Sequence, residues 1–209
     1  VMASPIYQKP LQLGADVVMY SATKHIDGQG RVLAGAVLGS FGYMQEYFLP
    51  FSRHTGPTIS AFNAWVLLKS LETMQMRVEK MNESAQAIAE FLESRKEVKS
   101  VRYPGLKSHP EYALAQKQMS GAGGTTIGFE LNGNKKDAFA FLDRLVLIDI
   151  SNNLGDSKTL ITHPASTTHK RLGPDVQAEM GITPSALRLS IGLEASTDLI
   201  KDLTQAFNS

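Results

Sequence analysis

Ser21-Ala22-Thr23-Lys24-His25-Ile26-Asp27-Gly28-Gln29-Gly30-Arg31 is the stretch around which the chain is organised. The apolar run Asp16-Val17-Val18-Met19-Tyr20 predicts a strand leading into it, and Gly28-Gln29-Gly30 predicts a turn after it. A small apolar run over 32–39 follows. A lysine at the end of a buried strand is costly unless its charge is used or its pKa is lowered. The hydroxyls of Ser21 and Thr23, three and one residues before Lys24, can hold an anion such as a phosphate ester. Together they suit a lysine that forms a Schiff base with a phosphorylated aldehyde. A strand end with a solvated lysine and two turn-forming hydroxyls explains the same tetrapeptide, and short motifs match often by chance.

The chain is long enough for one large domain or two small ones, at 209 residues. A net charge of +1 with 20% charged residues offers no basic excess for nucleic acid and no charge block that reads as a tail. No apolar run reaches membrane-spanning length, and no signal-peptide pattern is present. With no cysteine, disulfides, thiol nucleophiles and thiolate metal sites are excluded within the chain, which is consistent with a reducing compartment. The first residues, Val1-Met2-Ala3-Ser4-Pro5, read as the end of a strand entered midway, so a preceding half is expected upstream.

Outward from Lys24, residues 16–20 and 33–38 are the strand candidates of the first part, with nearly continuous apolar faces as in a sheet covered on both sides. Residues 43–51 form a short amphipathic piece ended by Pro50. Ser60 is placed to cap a helix that no glycine or proline interrupts through residue 94. That helix connects two domains, with a kink expected near residues 74–77, and Met74, Met76 and Met81 as core fillers. Strands follow at 98–103, 125–131, 146–150 and 186–191, a short apolar run at 160–161, and helices at 112–119, 135–144 and 174–180. Ser196 or Thr197 is expected to cap a terminal helix running through Phe207. The alternation predicts an α/β sandwich with helices on one face of a sheet.

Three constellations stand out. Arg188, inside a strand, needs an anion, either a substrate carboxylate or an internal partner such as Glu194 or Asp156. The loop Ser151-Asn152-Asn153-Leu154-Gly155-Asp156 follows a strand and carries several short polar groups, which suits a site wall or ordinary turn chemistry. His163 and His169 lack a third ligand at a useful spacing, so both read as structural and no metal is expected. Neither Gly-rich turn fits a nucleotide fingerprint, and no Gly-x-Ser-x-Gly elbow occurs.

In order, Ser21-Ala22-Thr23-Lys24, Gly56-Pro57 with Ala64-Trp65, Leu71-Glu72-Thr73 with Arg77, and Tyr103-Pro104-Gly105-Leu106 resemble the Cys/Met-metabolism enzymes that use pyridoxal phosphate. The match continues through Gly123-Gly124, Leu154-Gly155-Asp156, His163-Pro164-Ala165 and Arg188-Leu189-Ser190-Ile191-Gly192-Leu193-Glu194. This is the cystathionine γ-synthase-like group of fold type I. Asp27-Gly28-Gln29-Gly30-Arg31 and residues 153–159 resemble the O-succinylhomoserine sulfhydrylase branch.

The resemblance implies the C-terminal part of a fold type I transferase. Residues 1–75 would close the large mixed-sheet domain, and 76–209 would form the small α/β domain. It implies that Lys24 binds pyridoxal 5'-phosphate, that Ser21 and Thr23 hold its phosphate, and that Arg188 grips the substrate α-carboxylate with Asn153 assisting. His25, where relatives often carry tyrosine, would be a peripheral departure. The family's pyridinium-binding aspartate would fall just before Val1 and its aromatic stacking residue further upstream, so the missing half of the same protein would be needed for activity.

The implied reaction is γ-replacement on O-succinylhomoserine by sulfide, giving homocysteine and succinate in methionine biosynthesis, within a homotetramer. Cystathionine γ-synthase, O-acetylhomoserine sulfhydrylase and methionine γ-lyase are the sister alternatives. A non-catalytic assembly half and a nucleotide-binding module are the alternatives of another class.

Overall fold

The structure, a computed structural model, describes residues 1–208. It opens with a single helical turn, α1 (Ser4–Tyr7), and a 3-10 turn over Pro10–Leu13. The expected strand end at residues 1–5 is therefore not found. Pro5 lies in the first turn of α1, where a missing N–H costs nothing because the first helical N–H groups have no partner anyway.

Strands β1 (Val17–Ser21) and β2 (Gly35–Gly39) pair antiparallel, with Val17 opposite Gly39 and Ser21 opposite Gly35. The expected cover on both faces is absent among the described residues: Val18 is the one buried residue of the two strands, and Met19 is 77% exposed. Helix α2 (Phe41–Tyr43) continues through a wide π-type turn over Met44–Phe48 into α3 (Leu49–Thr55). Pro50 thus does not end this segment. Leu49 N–H reaches back five residues to the Met44 carbonyl, and the wider turn admits the proline ring.

Ser60 caps the long helix α4 (Ala61–Glu93), its hydroxyl accepting from Asn63 N–H at 3.1 Å. The helix is continuous across residues 74–77, where a kink was expected. Burial changes along it: Phe62, Trp65 and Leu68 are exposed, whereas Val78, Met81, Ala85 and Ile88 are fully buried. Met74 and Met81 fill the core as expected, but Met76 points outward and is 72% exposed.

Beyond α4 the chain forms β3 (Val98–Arg102), α5 (Tyr112–Gln118), β4 (Thr126–Leu131) and α6 (Lys135–Asp143). It continues through β5 (Asp149–Ile150), β6 (Leu160–Thr162), α7 (Pro174–Glu179), β7 (Ala186–Ser190) and α8 (Ser196–Phe207). The five strands lie in the order β3-β4-β7-β6-β5, antiparallel except for the β5–β6 pair. Ile127, Phe129, Leu131, Leu187 and Leu189 bury one face of this sheet against α4, α6 and α8.

Two expectations change here. The strand foreseen over 146–150 shrinks to two residues, because the Asp202 carboxylate of α8 accepts the N–H groups of Val146, Leu147 and Ile148. Those groups are then lost to sheet pairing. The residue at the N-cap of α8 is Ala195, and neither Ser196 nor Thr197 caps it.

Candidate active site

The turn at Lys24 is built by backbone bonds to the residue before β2 and within the turn itself. Ala22 N–H donates to the Ala34 carbonyl at 2.9 Å, and Asp27 N–H reaches back five residues to the Ala22 carbonyl. Lys24 itself leaves the helical region (φ −87°, ψ −129°) within this turn. The following loop is tied down from within. The fully buried Asp27 carboxylate accepts from Arg31 N–H at 2.5 Å, from Arg31 Nε at 3.0 Å and from Val32 N–H at 3.2 Å.

Arg77, buried on α4, locks the loop from below. It donates to the His25, Ile26 and Ser70 carbonyls and to the Thr73 hydroxyl. Gly28 is required at this contact: its φ is +70°, and a Cβ there would lie 2.0 Å from the Arg77 guanidinium. Arg77 was a family match in the sequence, and its burial under the Lys24 loop is what the structure adds.

Lys24 Nζ donates to Asn153 Oδ1 at 2.5 Å. Arg188 Nη2 donates to the backbone carbonyls of Asn152 at 2.8 Å and Asn153 at 3.1 Å. Asn153 therefore bridges two cations, one through its side chain and one through its backbone. Burial, and then the neighbouring Arg188 guanidinium, hold the Lys24 amine below the ordinary lysine range. Arg188 Nε–H is buried and without a partner among the described residues.

Neither internal partner foreseen for Arg188 takes it up. Glu194 accepts from Thr159 N–H and Oγ1, and Asp156 accepts from Ser157 and Lys158. Of the five expected site residues, Lys24, Asn153 and Arg188 thus come together directly. Ser21 ends β1, and its hydroxyl has no side-chain hydrogen bond among the described residues. Thr23 Oγ1 accepts from Ala34 N–H at 3.0 Å and donates to the Ala34 carbonyl at 3.3 Å, so a phosphate would compete for that proton.

The polar loop at 151–156 lies beside the Lys24 turn, and Ser157 N–H donates to the Gly28 carbonyl at 2.7 Å. His163 is held through both ring nitrogens, by Ser166 Oγ and the Pro184 carbonyl. His25 is buried in the seam rather than peripheral, with Nε2 2.7 Å from Thr125 Oγ1. Nothing in the local pattern around His25 signals that contact, which spans 100 positions.

The chain is 54% identical over 212 residues to an O-succinylhomoserine sulfhydrylase of Mycobacterium tuberculosis, covering all of this chain and 52% of that protein. It is 41% identical to an L-methionine gamma-lyase of Treponema denticola, covering 98% of this chain and 51% of that protein. A Campylobacter jejuni structure assigned as an O-acetylhomoserine (thiol)-lyase, and carrying N'-pyridoxyl-lysine-5'-monophosphate, superposes with a TM-score of 0.94 at 33% identity. That superposition covers all of this chain and 57% of the other. The chain spans about half the length of the curated relatives it matches. A lysine of lowered pKa closing on an asparagine and an arginine from a distant loop and strand is thus accompanied by a match of residues 1–208 to one family model, and the chain belongs to the Cys/Met metabolism PLP-dependent enzymes.

Proposed function

We propose that the protein containing this chain exchanges the γ-substituent of O-succinylhomoserine for sulfide, with Lys24 as the lysine that carries pyridoxal phosphate. The observation that carries the proposal is the Lys24–Asn153–Arg188 cluster, a depressed amine beside a buried guanidinium edge with no partner among the described residues. The residues fit the cofactor. Ser21, whose hydroxyl has no side-chain partner among the described residues, and Thr23 would hold the phosphate, and Lys24 Nζ would meet the cofactor beside Asn153.

When bound, pyridoxal phosphate would supply an electron sink for charge that develops at the substrate Cα. Arg188 would take the α-carboxylate on its free Nε–H edge, and so fix the Cα–H bond relative to Lys24. Lys24, its pKa lowered, would remove the proton at Cα and move protons at Cβ. Asn153 Oδ1 would hold Nζ in line for those transfers. The C–O bond at Cγ breaks, succinate leaves, and sulfide forms the C–S bond of homocysteine.

Residues 1–75 are assigned to the cofactor-binding domain and 76–209 to the small domain, supported by the change of burial along α4. Activity is proposed to need the upstream half, in a cytoplasmic homotetramer. The choice of a succinyl ester and sulfide is supported by the sulfhydrylase relatives; the lyase and thiol-lyase relatives support only the chemistry common to these enzymes.

The test takes the protein as it occurs in its source. It is incubated with O-succinylhomoserine or O-acetylhomoserine, each with sulfide or cysteine, and with methionine alone, and products are identified. Homocysteine from the succinyl ester and sulfide is expected. Turnover confined to another pair, or to methionine, replaces the substrate assignment. Borohydride reduction that leaves Lys24 unmodified in cofactor-supplied protein overturns the Lys24 assignment.

A further inference from the structure

His25 follows Lys24 in the chain and turns into the seam between the Lys24 turn and the five-stranded sheet. Its Nε2 lies 2.7 Å from Thr125 Oγ1, on the residue just before β4. Its other ring edge packs on Gly155: a Cβ at that position would lie 2.9 Å from both His25 N and Nδ1. Gly155 is pinned in turn, its N–H donating to Ser190 Oγ at 2.9 Å. From the third side, Arg77 Nη1 donates to the His25 carbonyl at 3.0 Å. The imidazole is 2% exposed, so no surface role accounts for it.

These contacts bear on one distance. Lys24 is the residue before His25, and Asn153 lies two residues before Gly155. Both partners of the 2.5 Å contact are therefore anchored beside the same ring. We propose, on the footing that Lys24 is the reactive amine, that His25 is a positioning residue whose hydrogen bond to Thr125 and packing on Gly155 set Lys24 Nζ against Asn153. Among the described residues His25 is the one side-chain partner of the Thr125 hydroxyl, so the pair forms a discrete link rather than part of a larger network. Burial and the surrounding cations favour the neutral ring, which suits a link placed beside Lys24 and Arg77. The cross-link orders two segments that meet only through tertiary contacts, and a misplacement of about 1 Å in such a pair is enough to cost on the order of a hundredfold in rate.

The experiment compares H25F, which keeps a ring of similar size, with T125V, T125S and the H25F/T125V double variant in the native protein. The first readout needs no cofactor: Lys24 reactivity toward acetic anhydride is followed against pH in cofactor-free protein by peptide mapping. H25F and T125V are each expected to move the Lys24 midpoint upward, because a loosened amine regains water. They are also expected to lower kcat by about tenfold with KM within about twofold. The double variant should be no worse than H25F, and T125S, which keeps the hydroxyl, should restore both readouts. A fall in melting temperature with the Lys24 midpoint and kcat unchanged overturns the proposal. If H25F does not fold, T125V decides by the same criteria. Borohydride labelling of Lys24 in the parent protein separates the two levels: its failure overturns Lys24 as the reactive amine, while the midpoint shift still judges His25.

Discussion

Lys24 and Asn153 stand 129 positions apart and meet at 2.5 Å, Nζ donating to Oδ1. The same asparagine offers its backbone carbonyl to Arg188, so one residue sets the spacing between two cations. Burial at this spacing keeps the Lys24 amine away from full hydration. The arrangement suits a base that must be neutral near a carboxylate it does not pair with.

Replacing Asn153 by aspartate tests this spacing with charge. A carboxylate beside Nζ favours the ammonium form, so the Lys24 pKa rises and the neutral base becomes scarcer at neutral pH. N153D should shift the acid limb of the kcat profile to higher pH and lower kcat at pH 7 by about tenfold. The pH–rate profile is the measurement, and an unmoved acid limb would reject the contact as a determinant of Lys24.

Arg188→Lys keeps the charge but loses the planar fork that serves two carbonyls and still presents Nε–H. If Arg188 holds the substrate carboxylate as proposed, KM for the amino-acid substrate should rise by about 10–100-fold, with a smaller change in kcat. Steady-state kinetics check it. An equal fall in kcat with KM constant would assign Arg188 to the transition state alone.

His25 predicts a pH dependence of stability. Burial, followed by the positive charges of Arg77 and Lys24, holds its pKa well below the ordinary 6.5. The unfolded chain therefore takes up this proton at higher pH than the folded one. The stabilisation is fully present above about pH 6.5 and is lost as pH falls below that toward the lowered pKa of the folded state. Urea unfolding between pH 7 and 4 should show a shallower acid loss for H25F than for the parent, and parallel curves would reject the assignment.

Asp202 tests the sheet edge. Its carboxylate accepts three consecutive backbone N–H groups at 2.9–3.0 Å. Burial alone would raise its pKa, but these bonds together hold it below the ordinary aspartate range. D202A strands those donors and should destabilise the protein by about 2–3 kcal/mol, with D202N less affected. Thermal or chemical denaturation measures it; equal stability of D202A and parent would show that water replaces the carboxylate.

The sequence alone carried much of the architecture. Periodicity placed α4 almost to the residue, with Ser60 as its cap, and the alternation in 125–131 marked the strand that forms β4. It failed where a distant side chain captured the backbone, as Asp202 does at 146–148, and where a wide turn absorbed a proline, as at Pro50. Local signals cannot register either event, because in both the competing hydrogen bond is decided elsewhere or by turn geometry.

At the site the division is sharper. The order of residues determined that a lysine flanked by two hydroxyls follows a strand, and that an arginine sits inside another strand without an adjacent counterion. Only the tertiary structure decided that Asn153 joins them, that Glu194 and Asp156 are occupied elsewhere, and that His25 is buried against Thr125 and Gly155. Side chains 100 or more positions apart are brought within hydrogen-bond distance by the packing of whole elements, and the pattern around any one of them does not encode that packing.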